Sequence, residues 1–152
     1  MATRTLDLLS PNKFVISIDK FQDIQYFAQD VTIPSVSLQS VNVPTNTYID
    51  AYATGDKMRF DDLQISFLIN KDLAGWRDIV SWMVQASTQT GEYLTDITIS
   101  VLDNNMNENK MVKFYSCSPT FISGIKFSAA ESEFQNQPMG SVTFKYTHYE
   151  YV

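Results

Sequence analysis

The chain has 152 residues, 44% of them hydrophobic and 18% charged, which is the composition of one ordinary folded domain rather than of a disordered chain. Its 11 Lys and Arg are scattered and outnumbered by 17 Asp and Glu, a net charge of −6, which argues against a surface that grips nucleic acid. No apolar run approaches the ~20 residues of a bilayer span, the N-terminus shows no secretory h-region, and the single Cys117 rules out an internal disulfide and fits a reducing compartment of synthesis.

In chain order, residues 1–11 read as an N-terminal arm ahead of a first strand. That strand, Asn12 to Asp19, puts Phe14, Ile16 and Ile18 on one face. "DIQYFAQDVTIP" is extended and stops at Pro34. "SVSLQSVNVP" alternates Val36 and Leu38, then Val41 and Val43. The shift near Gln39 and Ser40 predicts a bulge or bend. Residues 45–56, "TNTYIDAYATGD", are turn-rich yet carry Tyr48, Ile49 and Tyr52. Side chains of that size pack on something, either within the chain or on another subunit.

"GDKMRFDDLQISFLINKD" then reads as a strand with Leu63, Ile65, Phe67 and Ile69 on its apolar face. The period changes to 3.6 over residues 72–87, which predicts a helix with Asp72 as its N-cap. Its apolar arc spans about half the circumference, more than the ~100° stripe of a lone surface helix, so a second flank should be covered by a loop or another subunit. "TDITISVLD" is an alternating strand, "DNNMNENK" a hairpin tip, and "MVKFYSCSPTFISGIKFS" a strand ending at Pro119 followed by a short one. "AAESEFQNQPMG" is a loop. "SVTFKYTHYEYV" closes the chain as one strand, with Val142, Phe144, Tyr146 and His148 on its core face. Strands, one helix, then strands again make a mostly β, α+β chain with no βαβ alternation.

Catalytic chemistry is hard to assemble from these residues. The only histidine, His148, reads as a core residue, and no nucleophile elbow, phosphate-binding glycine loop or zinc set is present. Asp61 and Asp62, read as strand neighbours, point to opposite faces and cannot act on one atom. "DNNMNENK" lacks the glycine and the closing glutamate of a calcium loop. The expectation is no enzyme, no cofactor and no metal.

The alternation carries more. Off the apolar faces stand Gln64 and Ser66, Thr98 and Ser100, Thr143, Lys145 and Thr147, mostly short and neutral. One dry and one wet face describe either a solvent-facing sheet or the wall of a water-filled channel. A monomeric β-sandwich that binds carbohydrate through exposed aromatics such as Tyr149 and Tyr151 fits the same composition.

"SPNKFVISID", then "IPSVSL", then "GDKMRFDDLQISFLINKDLAGWRDIVSWM", with "SPTFISGIKFS" and the closing "SVTFKYTHYEYV", resemble the tail tube proteins of contractile-tailed bacteriophages from about Pro11 to Val152. The resemblance implies a β-barrel or sandwich-like domain with one flanking helix. It further implies six-membered rings in which strands from all subunits share one barrel, stacked into a tube inside a contractile sheath. Partners would be copies of itself, the tail sheath, the baseplate hub or initiator, the tail terminator, and genomic DNA passing without specific binding; the membrane would not be entered. The location would be the virion tail, after synthesis in the host cytoplasm.

A plain tube subunit is the leading expectation, with a baseplate initiator or a terminator-like protein of the same fold as the alternative. In a tube, Gln64, Ser66, Thr98, Ser100, Thr143 and Thr147 would face the lumen, whose acidic or neutral lining suits passing DNA, though Lys145 departs from that. Tyr48, Ile49, Tyr52, Asp61 and Asp62 would meet neighbouring subunits or rings.

Overall fold

The computed structural model of the chain describes residues 9, 11–20, 28–129 and 138–152. Most of the expected N-terminal arm, the start of "DIQYFAQDVTIP" and most of the loop before the last strand lie outside the described residues. The rest forms nine strands and one helix: β1 Phe14–Ile18, β2 Ala28–Thr32, β3 Val36–Pro44, β4 Asp50–Phe60, β5 Leu63–Leu68, α1 Ala74–Thr88, β6 Thr95–Leu102, β7 Glu108–Ile122, β8 Met139–Lys145 and β9 Tyr149–Tyr151. No described helix is long and apolar enough to cross a membrane.

Strand β7 organises the sheet. Its first half pairs with β6 and its end pairs with β8, giving the antiparallel order β1-β6-β7-β8-β5-β2, with β9 added to β7. Between the two halves Ser116 adopts a left-handed backbone, φ 57°, and its N–H donates to Asp96 Oδ1 at 3.1 Å. A non-glycine residue at positive φ needs such local support. Pro119, expected to end the strand, sits inside it opposite Phe144, next to a register irregularity. That is where a residue without an N–H is tolerated in a ladder.

The bend brings two inner faces onto one core. Ile16, Ile18, Ile97, Ile99, Val112 and Phe114 come from β1, β6 and the first half of β7; Leu63, Ile65, Phe67, Val142 and Phe144 come from β5 and β8. The fold is therefore sandwich-like, and among the described residues the sheet does not close into a barrel. Burying side chains of this size contributes ~1.5–3 kcal/mol each, so these alternating positions dominate the stability.

Helix α1 covers this core with Ile79 and Trp82, which are fully buried. The Trp82 ring lies 5.4 Å from that of Phe144, and its Nε1–H donates to the Tyr93 carbonyl at 2.5 Å. Part of the second flank is met by the chain itself, since Trp76 Nε1–H donates to the Ser123 carbonyl at 3.1 Å. Val84 stays exposed. Asp72 is not the cap: Leu73 precedes the helix in a left-handed conformation, and Asn70 Oδ1 accepts the Ala74 N–H at 2.9 Å.

Two further expectations change. The run from Gly55 to Asp72 is not one strand: Gly55–Phe60 ends β4, and Asp61 and Asp62 lie in the gap before β5. The closing strand also breaks, between Lys145 and Tyr149, which resets the alternation. His148 therefore leaves the core. It stacks on Tyr115 with centroids 4.8 Å apart, and its Nε2 lies 3.4 Å from Glu150 Oε1, with both side chains substantially exposed.

Candidate assembly interface

Strands β3 and β4 form a two-stranded ribbon that pairs with nothing else among the described residues. It runs from Val36 opposite Phe60 to Pro44 opposite Asp50, with an irregularity between Leu38 and Ser40 where the sequence shifts period. Gly55 lies against the Gln39 carbonyl there, so closely that a Cβ would overlap it. The tip is tightly built. Asn46 Oδ1 accepts the N–H groups of Tyr48 at 2.8 Å and Ile49 at 2.7 Å, and Thr45 Oγ1 donates to the Ile49 carbonyl at 2.5 Å.

This ribbon is exposed almost throughout. Tyr48 is 93% exposed, Tyr52 75% and Ile49 64%, so none of the three packs on its own chain. The expected loop over residues 45–56 is in fact the ribbon tip plus the first half of β4. Beyond the irregularity, the pairs Val41–Ala53 and Val43–Ala51 make a small aliphatic face, and Asn42–Tyr52 and Ser40–Thr54 share the other. The sequence singles out Tyr52 as an interface candidate and leaves out Val41, Val43, Ala51 and Ala53, which the ribbon pairing puts on its other face. Their alternation after the shift at Gln39 was the available signal. An isolated two-stranded ribbon is marginal in water.

Asp61 is structural at the ribbon base. Its N–H donates to the Ser35 carbonyl at 3.1 Å, its carboxylate accepts from Ser35 Oγ, and its carbonyl accepts the Tyr146 hydroxyl at 2.5 Å. Asp62 is exposed beside it. Burial, then the neighbouring Tyr149, Asp62 and Asp61, raise the Tyr146 pKa well above 10, so the phenol stays a donor. Tyr149 is half-buried, its hydroxyl donating to the Pro34 carbonyl at 3.0 Å, and burial raises its pKa as well. It is therefore engaged within the fold and not a free aromatic platform; Tyr151 is exposed.

The polar residues expected along a lumen are divided between two halves of the sheet. Gln64 pairs with Thr143, and Ser66 lies beside them on the outer face of β5 and β8. Thr98 and Ser100 belong to β6, in the other half of the sheet. Ser100 is only 3% exposed, because the larger Val15 and Met111 flank it across the strands. Thr147 is exposed in the break after β8, where its N–H donates to the Tyr115 carbonyl at 3.0 Å.

An open cleft of about 430 Å³ lies between the end of β1 and the end of α1, where Lys20 Nζ donates to Gln85 Oε1 and to the Glu92 carbonyl, each at 2.7 Å. Among the described residues no cluster of His, Cys, Asp or Glu is arranged to hold a metal ion.

No protein-family model matches the chain. It is similar to the tail tube terminator protein of Enterobacteria phage T4, with 27% identity over 150 residues, covering 90% of this chain and 85% of that protein. Its fold is similar to the tube-terminating cap of the anti-feeding prophage, with a TM-score of 0.76 at 11% identity, over 100% of this chain and 95% of the other. It is also similar to a chain of the extended sheath–tube complex of an extracellular contractile injection system, PVC, with a TM-score of 0.73 at 13% identity over 99% of each. The fold of this chain is thus similar over nearly its whole length to those of a tube-terminating cap and of a chain from a sheath–tube complex.

Proposed function

We propose that this chain is a structural subunit that closes the inner tube of a contractile phage tail, a tube terminator. The observation that carries the reading is the similarity to the T4 tail tube terminator along 90% of the chain. The fold does not choose between terminator and tube subunit, because a terminating cap and a sheath–tube complex both resemble it closely. The sequence similarity favours the alternative over the plain tube subunit that leads from sequence alone.

In this reading copies of the chain form a six-membered ring, and its partners are the tube end and the surrounding sheath. The β3–β4 ribbon is the contact arm, inserting Tyr48, Ile49 and the Val41–Val43 face between neighbours, where water is excluded from otherwise exposed apolar surface. Pairing between subunits also covers sheet edges, which a small open sheet cannot leave bare without risk of aggregation. The net charge of −6 suits a passage that DNA crosses without adhering. The role is structural, located in the virion tail, and no catalytic step is assigned.

Electron microscopy of the purified chain at high concentration tests it. Discrete six-fold rings that do not elongate are expected. Long tubes would instead favour a tube subunit, and a monomer at every concentration would overturn the reading.

A further inference from the structure

The ribbon leaves the body through two short backbone segments, Pro34–Ser35 before β3 and Asp61–Asp62 after β4. Each is held by a tyrosine from the end of the chain. Tyr149 donates to the Pro34 carbonyl at 3.0 Å and Tyr146 to the Asp61 carbonyl at 2.5 Å. Between them stands Phe60, the last residue of β4, with its ring 5.3 Å from Tyr149 and 6.2 Å from Tyr146, both edge-on. Both tyrosines rest on Phe114 at 5.1 and 5.0 Å, and Phe114 is fully buried in the core. The Asp61–Ser35 backbone bond ties the two segments to each other.

We propose that Phe60, Tyr146 and Tyr149 form a joint that fixes the direction of the β3–β4 ribbon relative to the body of the subunit. One attachment would leave the ribbon free to swing about that point. Two attachments, one on each segment of its base, remove that rotation. The rings supply this at low entropic cost, since a tyrosine has only two side-chain torsions to order. Tyr146 and Tyr149 are positioning residues: neither reaches the outer half of the ribbon, where the contact face lies. The consequence for assembly rests on the proposed function, whereas the joint rests on geometry within one subunit.

Electron-paramagnetic distance measurement tests the joint. Spin labels are placed on the exposed Thr54→Cys in the ribbon and Glu108→Cys in the body, with ring formation read on the unlabelled chains; native Cys117 is fully buried and does not compete for label. Labelled chains are diluted into unlabelled ones so that only distances within a subunit are read. The Tyr146→Phe/Tyr149→Phe variant keeps the rings and loses both hydroxyls. Its distance distribution is expected to widen at least twofold while the circular dichroism spectrum is retained, and each single variant should widen it less. The single variants carry the same test should the double one fail to fold. An unchanged width in the folded variants overturns the joint. A widened distribution with undiminished ring formation upholds the joint and removes the ribbon from assembly.

Discussion

Gly55 lies so close to the carbonyl of Gln39 that no side chain fits between them. The contact sits at the irregularity where β4 carries extra residues against β3. Gly55→Ala must shift backbone to relieve the overlap, which costs ~1–3 kcal/mol locally. Because the ribbon is outside the core, the melting temperature of the body should move by less than about 2 °C. Hydrogen exchange should show faster amides at Val41 and Val43. Unchanged exchange there would mean that the irregularity absorbs a methyl group freely.

Two aspartate substitutions separate folding from assembly. Phe67 is buried in the core, and Phe67→Asp places a charge where no partner exists, at a cost above about 4 kcal/mol. The cooperative thermal transition should disappear. Tyr52 is exposed, so Tyr52→Asp should change stability by less than about 0.5 kcal/mol yet prevent ring formation. Circular dichroism with sedimentation decides both, and normal assembly of Tyr52→Asp would remove Tyr52 from the interface.

Helix capping gives a sharper contrast. Asn70→Ala removes the acceptor of the Ala74 N–H and should cost ~1 kcal/mol in denaturant unfolding. Asp72→Ala should cost less than about 0.5 kcal/mol, since Asp72 is exposed and Leu73, not Asp72, precedes the helix. Equal losses would restore Asp72 as the cap.

Alkaline pH should destabilise the fold. Burial pushes the Cys117 thiol from 9.0 up to about 12, with Asp96 adding to the shift, and the Tyr146 and Tyr149 phenols are also raised. A raised acid is held protonated in the folded state, so its contribution is full below the unfolded pKa and is lost as pH rises towards the folded one. Melting temperatures should therefore be level below pH 9 and fall between about pH 9 and 12. A level profile across that window would contradict the burial of these groups.

How legible the fold is depends on how local its causes are. Leu63, Ile65 and Phe67 alternate in sequence and are buried together, because a period of two follows from strand geometry alone. The shift at Gln39 likewise marks a true irregularity. The course of β7 through Pro119 depends on which strand lies beside it, and the left-handed Ser116 depends on Asp96 twenty positions away.

His148 shows the limit from another side. Alternation assigns parity along an unbroken strand, and the break after Lys145 discards that parity. The apolar ribbon tip was legible, since Tyr48, Ile49 and Tyr52 are too large for an ordinary loop. Its anchoring was not: Tyr149 and Pro34 are 115 positions apart, and neither residue type announces the other.

The most direct test of the terminator role adds the gold-labelled chain to preformed tail tubes and images them by electron microscopy. If the chain closes the tube, label appears as a single ring at one end of each tube and stops further elongation. Label distributed along the tubes, or tubes that keep growing through the labelled end, would contradict it.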